Sequence, residues 1–520
     1  MNDQKKYLDL RGYVGYTCLI PGSCILNTLI GSFLLIFATN WIGMNSAIVG
    51  TLMLVAKIFD GVTDLLFGAI MDRTKHRLGK ARPWVIRNIA PLILCGILLF
   101  FTPVVRAAGA SGGMASGEMA SGEMAQPTTW SYVYFFIFYV LYSAVCYTVC
   151  FMSNGALPIR MTRNEHERVK LGVISVIPQM AIGIGMSFVI MNWVGKLGGG
   201  VAAWRTLAII FGVVQAILMG IGALFCKELP EEVLSQGEPS KPQEKFSFRE
   251  MIRSVAGNRF VWLLFAYTIV FAISTAASAQ SGTYYVRYVL HNDSMLGFVV
   301  MAGMGPMIIS LFFTPALSKK FGIYKLLSRG YLLATVFMLL VLIFAMLRMP
   351  IPMFVCMVLR GLCSGPFTGL GQAVNGQVIE YSRVKDGRDI TGSLLGISNL
   401  GGKIGEGLSS GLIGWLLAAG HYDGTLAVQP DSAINMIIFV FAGLPFIAYI
   451  LQTIFFWFLN PVQATEKILK ERGEEIPEGF GAGMMPPPGM KPPAGMEPPE
   501  GFKPPEGVKP PEGFRPSDDE

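Results

Sequence analysis

The sequence predicts an all-α membrane protein of about twelve transmembrane helices in two six-helix halves. Three observations carry that prediction. Of 520 residues, 52% are hydrophobic and 14% are charged, with a mean hydropathy of +0.52; a water-soluble domain carries about 25% charged residues. Apolar runs recur at the length of roughly 20 residues that a bilayer span requires. A polar stretch over 227–253 divides those runs into two equal sets.

In chain order, the start MNDQKKYLDLRG is polar, and the first apolar run is too long for the core of a cleavable leader. Spans are expected near 14–38, 46–70, 84–105, 130–152, 171–195 and 204–226. The second set falls near 258–280, 293–316, 325–346, 351–379, 391–418 and 432–459. After span two comes MDRTKHRLGKARPWVIR, rich in Lys and Arg, whereas TNWIGMNSA before it carries no charge. Basic loops stay in the cytoplasm, so both termini are expected there, in a plasma (inner) membrane protein. The net charge of +7 is absorbed by those loops and calls for no nucleic acid.

The segment 106–129 repeats ASGEM. Gly, Ala and Ser without bulky apolar residues build no core, so a flexible external loop is expected. The units are therefore 1–226, a cytoplasmic linker 227–257, 258–460, and a disordered Pro/Gly-rich tail 461–520 ending in hexads such as KPPEGV. The tail reads first as a solvated segment and second as a docking site for a cytoplasmic partner. Sixty Gly suit close helix packing. The eight Cys show no CxxC spacing and read as small packing residues. No phosphate loop, metal-ligand cluster or nucleophile triad is visible, which argues against an enzyme, an ATP-driven pump or a resident cofactor.

Ionisable residues inside spans are costly and carry function. Asp60 and Asp64 lie four apart on span two, so both carboxylates share a helix face, with Lys57 and Thr63 beside them. Two acids facing one lysine leave a charge unbalanced, and the group reads as an oxygen-rich site for Na⁺ or a proton, Asp60 and Asp64 being the metal ligands if the ion is Na⁺. Lys403 and Glu406, within Gly401-Gly402-Lys403-Ile-Gly-Glu406-Gly407 of span eleven, either pair with each other or face the span-two acids. Arg360, deep in span ten, calls for an anionic solute group, Glu380 or Glu406. Span seven offers Tyr267 and several hydroxyls to a polar cavity or to interhelical hydrogen bonds.

Ala56-Lys-Ile-Phe-Asp60-Gly-Val-Thr-Asp64, running into Asp72-Arg-Thr-Lys-His-Arg-Leu-Gly79-Lys80-Ala-Arg82-Pro83-Trp84, together with Leu157-Pro158 and Gly401-Gly402-Lys403, resembles the melibiose permease-like glycoside–pentoside–hexuronide:cation symporters of the major facilitator superfamily. The resemblance covers essentially residues 10–460. It implies the major facilitator fold, with cation-site carboxylates at Asp60 and Asp64, the intervening polar residue at Thr63, the nearby base at Lys57 and the coupling lysine at Lys403. The sugar-gripping side chains do not carry over. By spacing, the family's span-one and span-four aspartates fall at Cys24 and near Cys150, its stacking tryptophan near Asn154, and its span-five arginine near Ser175. A site that relies on buried hydrogen bonds rejects ligands that leave them unmade. The expected function is therefore cation-coupled import of a sugar, glycoside or related solute by alternating access. An amphiphilic solute on the same fold, or a non-transporting sensor or scaffold, stands as the alternative.

Overall fold

The computed structural model describes residues 6–74, 76–104, 127–230, 258–386, 391–426 and 428–472. Fourteen helices follow one another among these residues: α1 Leu10–Asn40, α2 Ser46–Asp72, α3 Arg82–Leu99, α4 Thr129–Met161, α5 Glu165–Lys196, α6 Val201–Phe225, α7 Arg259–Tyr288, α8 Leu296–Phe321, α9 Ile323–Met346, α10 Pro350–Ser364, α11 Pro366–Asp386, α12 Thr391–Ala419, α13 (Asp431–Ile438, Phe439–Gly443 and Leu444–Phe458) and α14 Pro461–Arg472. Nine helical stretches among the described residues are long and apolar enough to cross a membrane. Helix α10, Pro350–Ser364, is apolar but shorter, and Gly365 separates it from α11. The outward surface fits lipid: Phe312, Ile351, Phe458 and Trp457 are all exposed.

Side chains cap several helices. Asp9 accepts the Gly12 N–H, Asn45 the N–H groups of Ala47 and Ile48, and Asn258 that of Phe260. Helix α4 contains a π-helical stretch, Leu141–Tyr147, and α13 another, Phe439–Gly443. Such insertions recur at functional sites.

The first half packs α1 against α6 and α5, and α3 against α6; the second packs α7 and α9 against α13, and α10 against α8 and α9. Between the halves run α2 on α12, α5 on α8 and α1 on α7. Close approach needs glycine along the α2/α12 seam. A Cβ at Gly50 would meet the Ser410 carbonyl at 2.7 Å, and one at Gly407 the Lys57 Cβ at 2.8 Å. The cross-half contacts gather at the face where α1 ends and α2 begins. There Ser46 donates to the Gly414 carbonyl (3.1 Å), Thr39 bonds Tyr284 (3.0 Å), Ser294 bonds Asn192 (2.8 Å), and Arg287 sits 4.7 Å from the Trp41 ring centroid.

At the other face Glu228, its side chain buried, locks the first half. Its carboxylate accepts the N–H groups of Lys80, Ala81 and Arg82 at 3.0, 2.8 and 2.6 Å, capping α3, and pairs with Arg160 Nε at the end of α4. Gly79 makes the approach with φ +104°, a conformation that disfavours any side chain.

The structure moves three sequence-derived boundaries. Residues 461–472 form α14, with Thr465 and Leu469 buried and α11 as its packing partner, so the tail does not begin at 461. Glu228 belongs with the first half rather than with a linker from 227. Helix α4 begins at Thr129, the last residue assigned to the external loop. Residues 105–126, 231–257 and 473–520, which carry most of the loop, linker and tail expectations, lie outside the described residues.

Candidate functional site

Asp60 sits midway along α2 and is 1% exposed. A carboxylate in that position needs donors or counter-charge, and four groups supply them. Lys403 Nζ approaches Oδ1 at 2.7 Å and Thr148 Oγ1 donates to the same atom at 2.6 Å. Ser143 Oγ stands 3.4 Å and Lys57 Nζ 3.6 Å from Oδ2. The spacing of Asp60 and Asp64 places both on the face turned to α12, so Lys403 reaches Asp64 Oδ2 as well, at 2.5 Å. Asp64 Oδ1 is buried without a hydrogen-bond partner.

Ser143 and Thr148 come from the π-helical stretch of α4 and the residue that follows it. The insertion turns both hydroxyls toward the same carboxylate, although residues five apart do not share an α-helical face. These two ligands were invisible in sequence, because hydroxyl residues are common in spans and neither sits in a recognisable motif.

The cluster departs from the sequence reading at Lys57 and Thr63, and decides between the two pairings expected for Lys403. Lys57 has its shortest carboxylate contact across the seam, with Glu406 Oε2 at 3.0 Å, rather than with the span-two acids. Lys403 faces those acids and does not pair with Glu406, three residues on. Thr63 donates its hydroxyl to the Asp60 backbone carbonyl at 3.0 Å, so that proton is committed to the helix and not to the carboxylates. Counted whole, the cluster holds two ammonium groups (Lys57, Lys403) and three carboxylates (Asp60, Asp64, Glu406). The imbalance of one negative charge therefore exists, but Glu406 supplies it.

Cys24 on α1 and Cys150 on α4 are both buried. Asn154 Nδ2 contacts Cys150 Sγ at 3.4 Å, leaving Asn154 Oδ1 buried and unpartnered; the Tyr142 hydroxyl is unpartnered too. The Ser175 side chain lies outside the described residues.

Two candidates lie elsewhere. Tyr267 is fully buried in an aromatic core with Tyr331, Phe367 and Phe456, its hydroxyl 2.7 Å from that of Tyr331. It packs the second half. Arg360 finds neither Glu380 nor Glu406. Its guanidinium donates to the Tyr449 hydroxyl (3.0 Å) and the Gly303 carbonyl (3.4 Å) and leaves Nε unpartnered. Tyr267 looked functional because a hydroxyl within a span suits a core and a cavity equally, and Arg360 because a cation so deep suggests an acid.

Known proteins share this chain's pattern. The sequence profile of the family described as MFS/sugar transport protein matches residues 15–462. The isoprimeverose transporter of Lactiplantibacillus pentosus is 25% identical over 85% of this chain and 87% of its own. The inner membrane symporter YicJ of Escherichia coli (strain K12) is 25% identical over 87% and 92%. In backbone, a point mutant of the nucleoside transporter NupG superposes with a TM-score of 0.59 at 12% identity, covering 86% of this chain and all of that one. A D-xylose-proton symporter gives 0.56 at 12%, over 85% and 96%. The chain is a multi-pass membrane transporter with the major facilitator fold, and it belongs to the MFS/sugar transport family of glycoside–pentoside–hexuronide symporter type.

Proposed function

We propose that this protein is a cation-coupled symporter importing a sugar, glycoside or related solute across the plasma membrane by alternating access, with both termini in the cytoplasm. One observation carries the coupling: Lys403 of the second half bridges Asp60 and Asp64 of the first, at 2.7 and 2.5 Å. A monovalent cation, Na⁺ or H⁺, that displaces or screens that ammonium weakens the bond between the halves, which lets the loaded carrier reorient. Thr148 and Ser143 would add oxygens to the two carboxylates, a donor set suited to a hard cation. In this reading the gathered contacts at the α1/α2 turn close the carrier on the outer side, and the linker and tail face the cytoplasm.

The test is uptake of a labelled glycoside panel into right-side-out vesicles, with and without Na⁺ or proton gradients. Asp60→Asn is expected to abolish gradient-driven accumulation. Accumulation at the wild-type level in that variant would refute the cation assignment, and uptake of an amphiphile in place of every glycoside would redirect the substrate class.

A further inference from the structure

Glu406 is the one carboxylate of the charged cluster whose side chain is largely exposed, at 51%. Its place on α12 says where that exposure points. Gly407 and Gly414 face α2, and Gly405 lies against Ile269 and Ala272 of α7. Trp415, exposed and hydrogen-bonded to Thr51, marks the lipid side. With successive residues about 100° apart, Glu406 falls on the arc between α2 and α7 and away from Trp415, toward the interior between the halves.

Cys24 and Cys150, on α1 and α4 of the first half, are buried. On α4, the Tyr147 ring stacks on Tyr142 at 6.2 Å. Two polar atoms of this region, Asn154 Oδ1 and the Tyr142 hydroxyl, are buried without partners although both residues are more than nine-tenths buried. Buried polar groups left so call for a ligand that bonds them.

We propose that Glu406 is a specificity-determining residue that faces the solute cavity and selects neutral, hydroxyl-rich glycosides against their uronide counterparts. The inference rests on the carrier reading above and narrows its substrate class. Glu406 and Asn154 Oδ1 accept hydrogen bonds, and Tyr142 can do either, so a ligand's hydroxyl protons find acceptors. A carboxylate ligand finds repulsion. Among the described residues, the ammonium in contact with Glu406 is Lys57, already engaged by it at 3.0 Å, and Arg360 is held by Tyr449 and Gly303. Because Glu406 also holds Lys57, next to Asp60, a solute bonded to Glu406 sits one side chain away from the cation cluster.

The test compares uptake of methyl β-D-glucopyranoside with methyl β-D-glucuronide in vesicles carrying wild type, Glu406→Gln and Glu406→Asp. Wild type is expected to favour the neutral probe. Glu406→Gln should shift the neutral-to-anionic ratio at least tenfold toward the uronide, whereas Glu406→Asp should hold it near wild type. A purely structural role lowers both rates together and leaves the ratio fixed, so an unchanged ratio in Glu406→Gln overturns the proposal. Wild type that prefers the uronide, or carries neither probe, overturns it too. Titration of purified Asp60→Asn with Na⁺ and protons, which needs no solute, judges the underlying carrier reading separately: lost cation binding there upholds it, and retained binding sinks it.

Discussion

Two basic side chains lie in the membrane interior of the second half, and their company differs. Lys403 meets two carboxylates from the other half. Arg360 meets a phenol and a backbone carbonyl from its own half. A charge held by opposite charges is a contact that another cation can replace. A charge held by neutral dipoles has nothing to exchange and serves as a permanent tie among α8, α10 and α13. Residue type fits the roles: ammonium is a compact point charge with freely rotating donors, while guanidinium spreads several donors in a fixed fork. Burial of a cation therefore does not identify a working site; the sign of its partners does.

The contrast can be broken experimentally, most sharply at Asp60. Asp60→Asn leaves Lys403 and the Thr148 hydroxyl short of an anion, and losing one partner of a buried pair costs about 3–5 kcal/mol. Gradient-driven uptake should fall at least about a hundredfold, since each 1.4 kcal/mol is roughly tenfold. Lys403→Arg comes next. It keeps the charge but not the compact donor, so the half-saturating cation concentration for uptake should rise about tenfold. Thr148→Val removes a 2.6 Å hydrogen bond to a carboxylate. Such bonds contribute about 1.5–3 kcal/mol, so a roughly tenfold or greater loss of cation affinity is expected, with protein yield unchanged. Arg360→Lys should lower the melting temperature of the purified protein by several degrees and leave the cation dependence of uptake where it was. A shift in that dependence would erase the distinction between the two cations. Thr63→Ala should do least, less than twofold on uptake, because its hydroxyl proton already bonds the Asp60 carbonyl.

Much of this was legible beforehand, for reasons particular residues make plain. The spans declared themselves through apolar runs, since a bilayer enforces their length. Asp60, Asp64 and Lys403 stood out because charge in hydrocarbon is rare. What escaped was direction. Spacing told that Glu406 stands three residues from Lys403, yet not that one faces Asp60 while the other takes Lys57. Thr63 lay in the right octet but turned its proton to the backbone. Tyr267 had the right chemistry on an inward face of its own bundle. Helix α14 was hidden by the Pro-rich hexads downstream, whose composition coloured the whole tail. The second oxygen donors, Ser143 and Thr148, depended on a break in helical period that composition cannot announce.

That break sets the phase of everything beyond it in α4. A π turn accommodates one surplus residue, so Cys150 and Asn154 are rotated by about 100° from where an unbroken helix would put them relative to Phe135 and Tyr139. The stretch acts as a gear offset: on one side of it the helix meshes with the packing of its own half, on the other with the charged seam. Deleting a single residue there, Ala144 for example, would leave every side chain chemically intact. It would still turn Cys150 and Asn154 out of mesh with Asp60 and its partners.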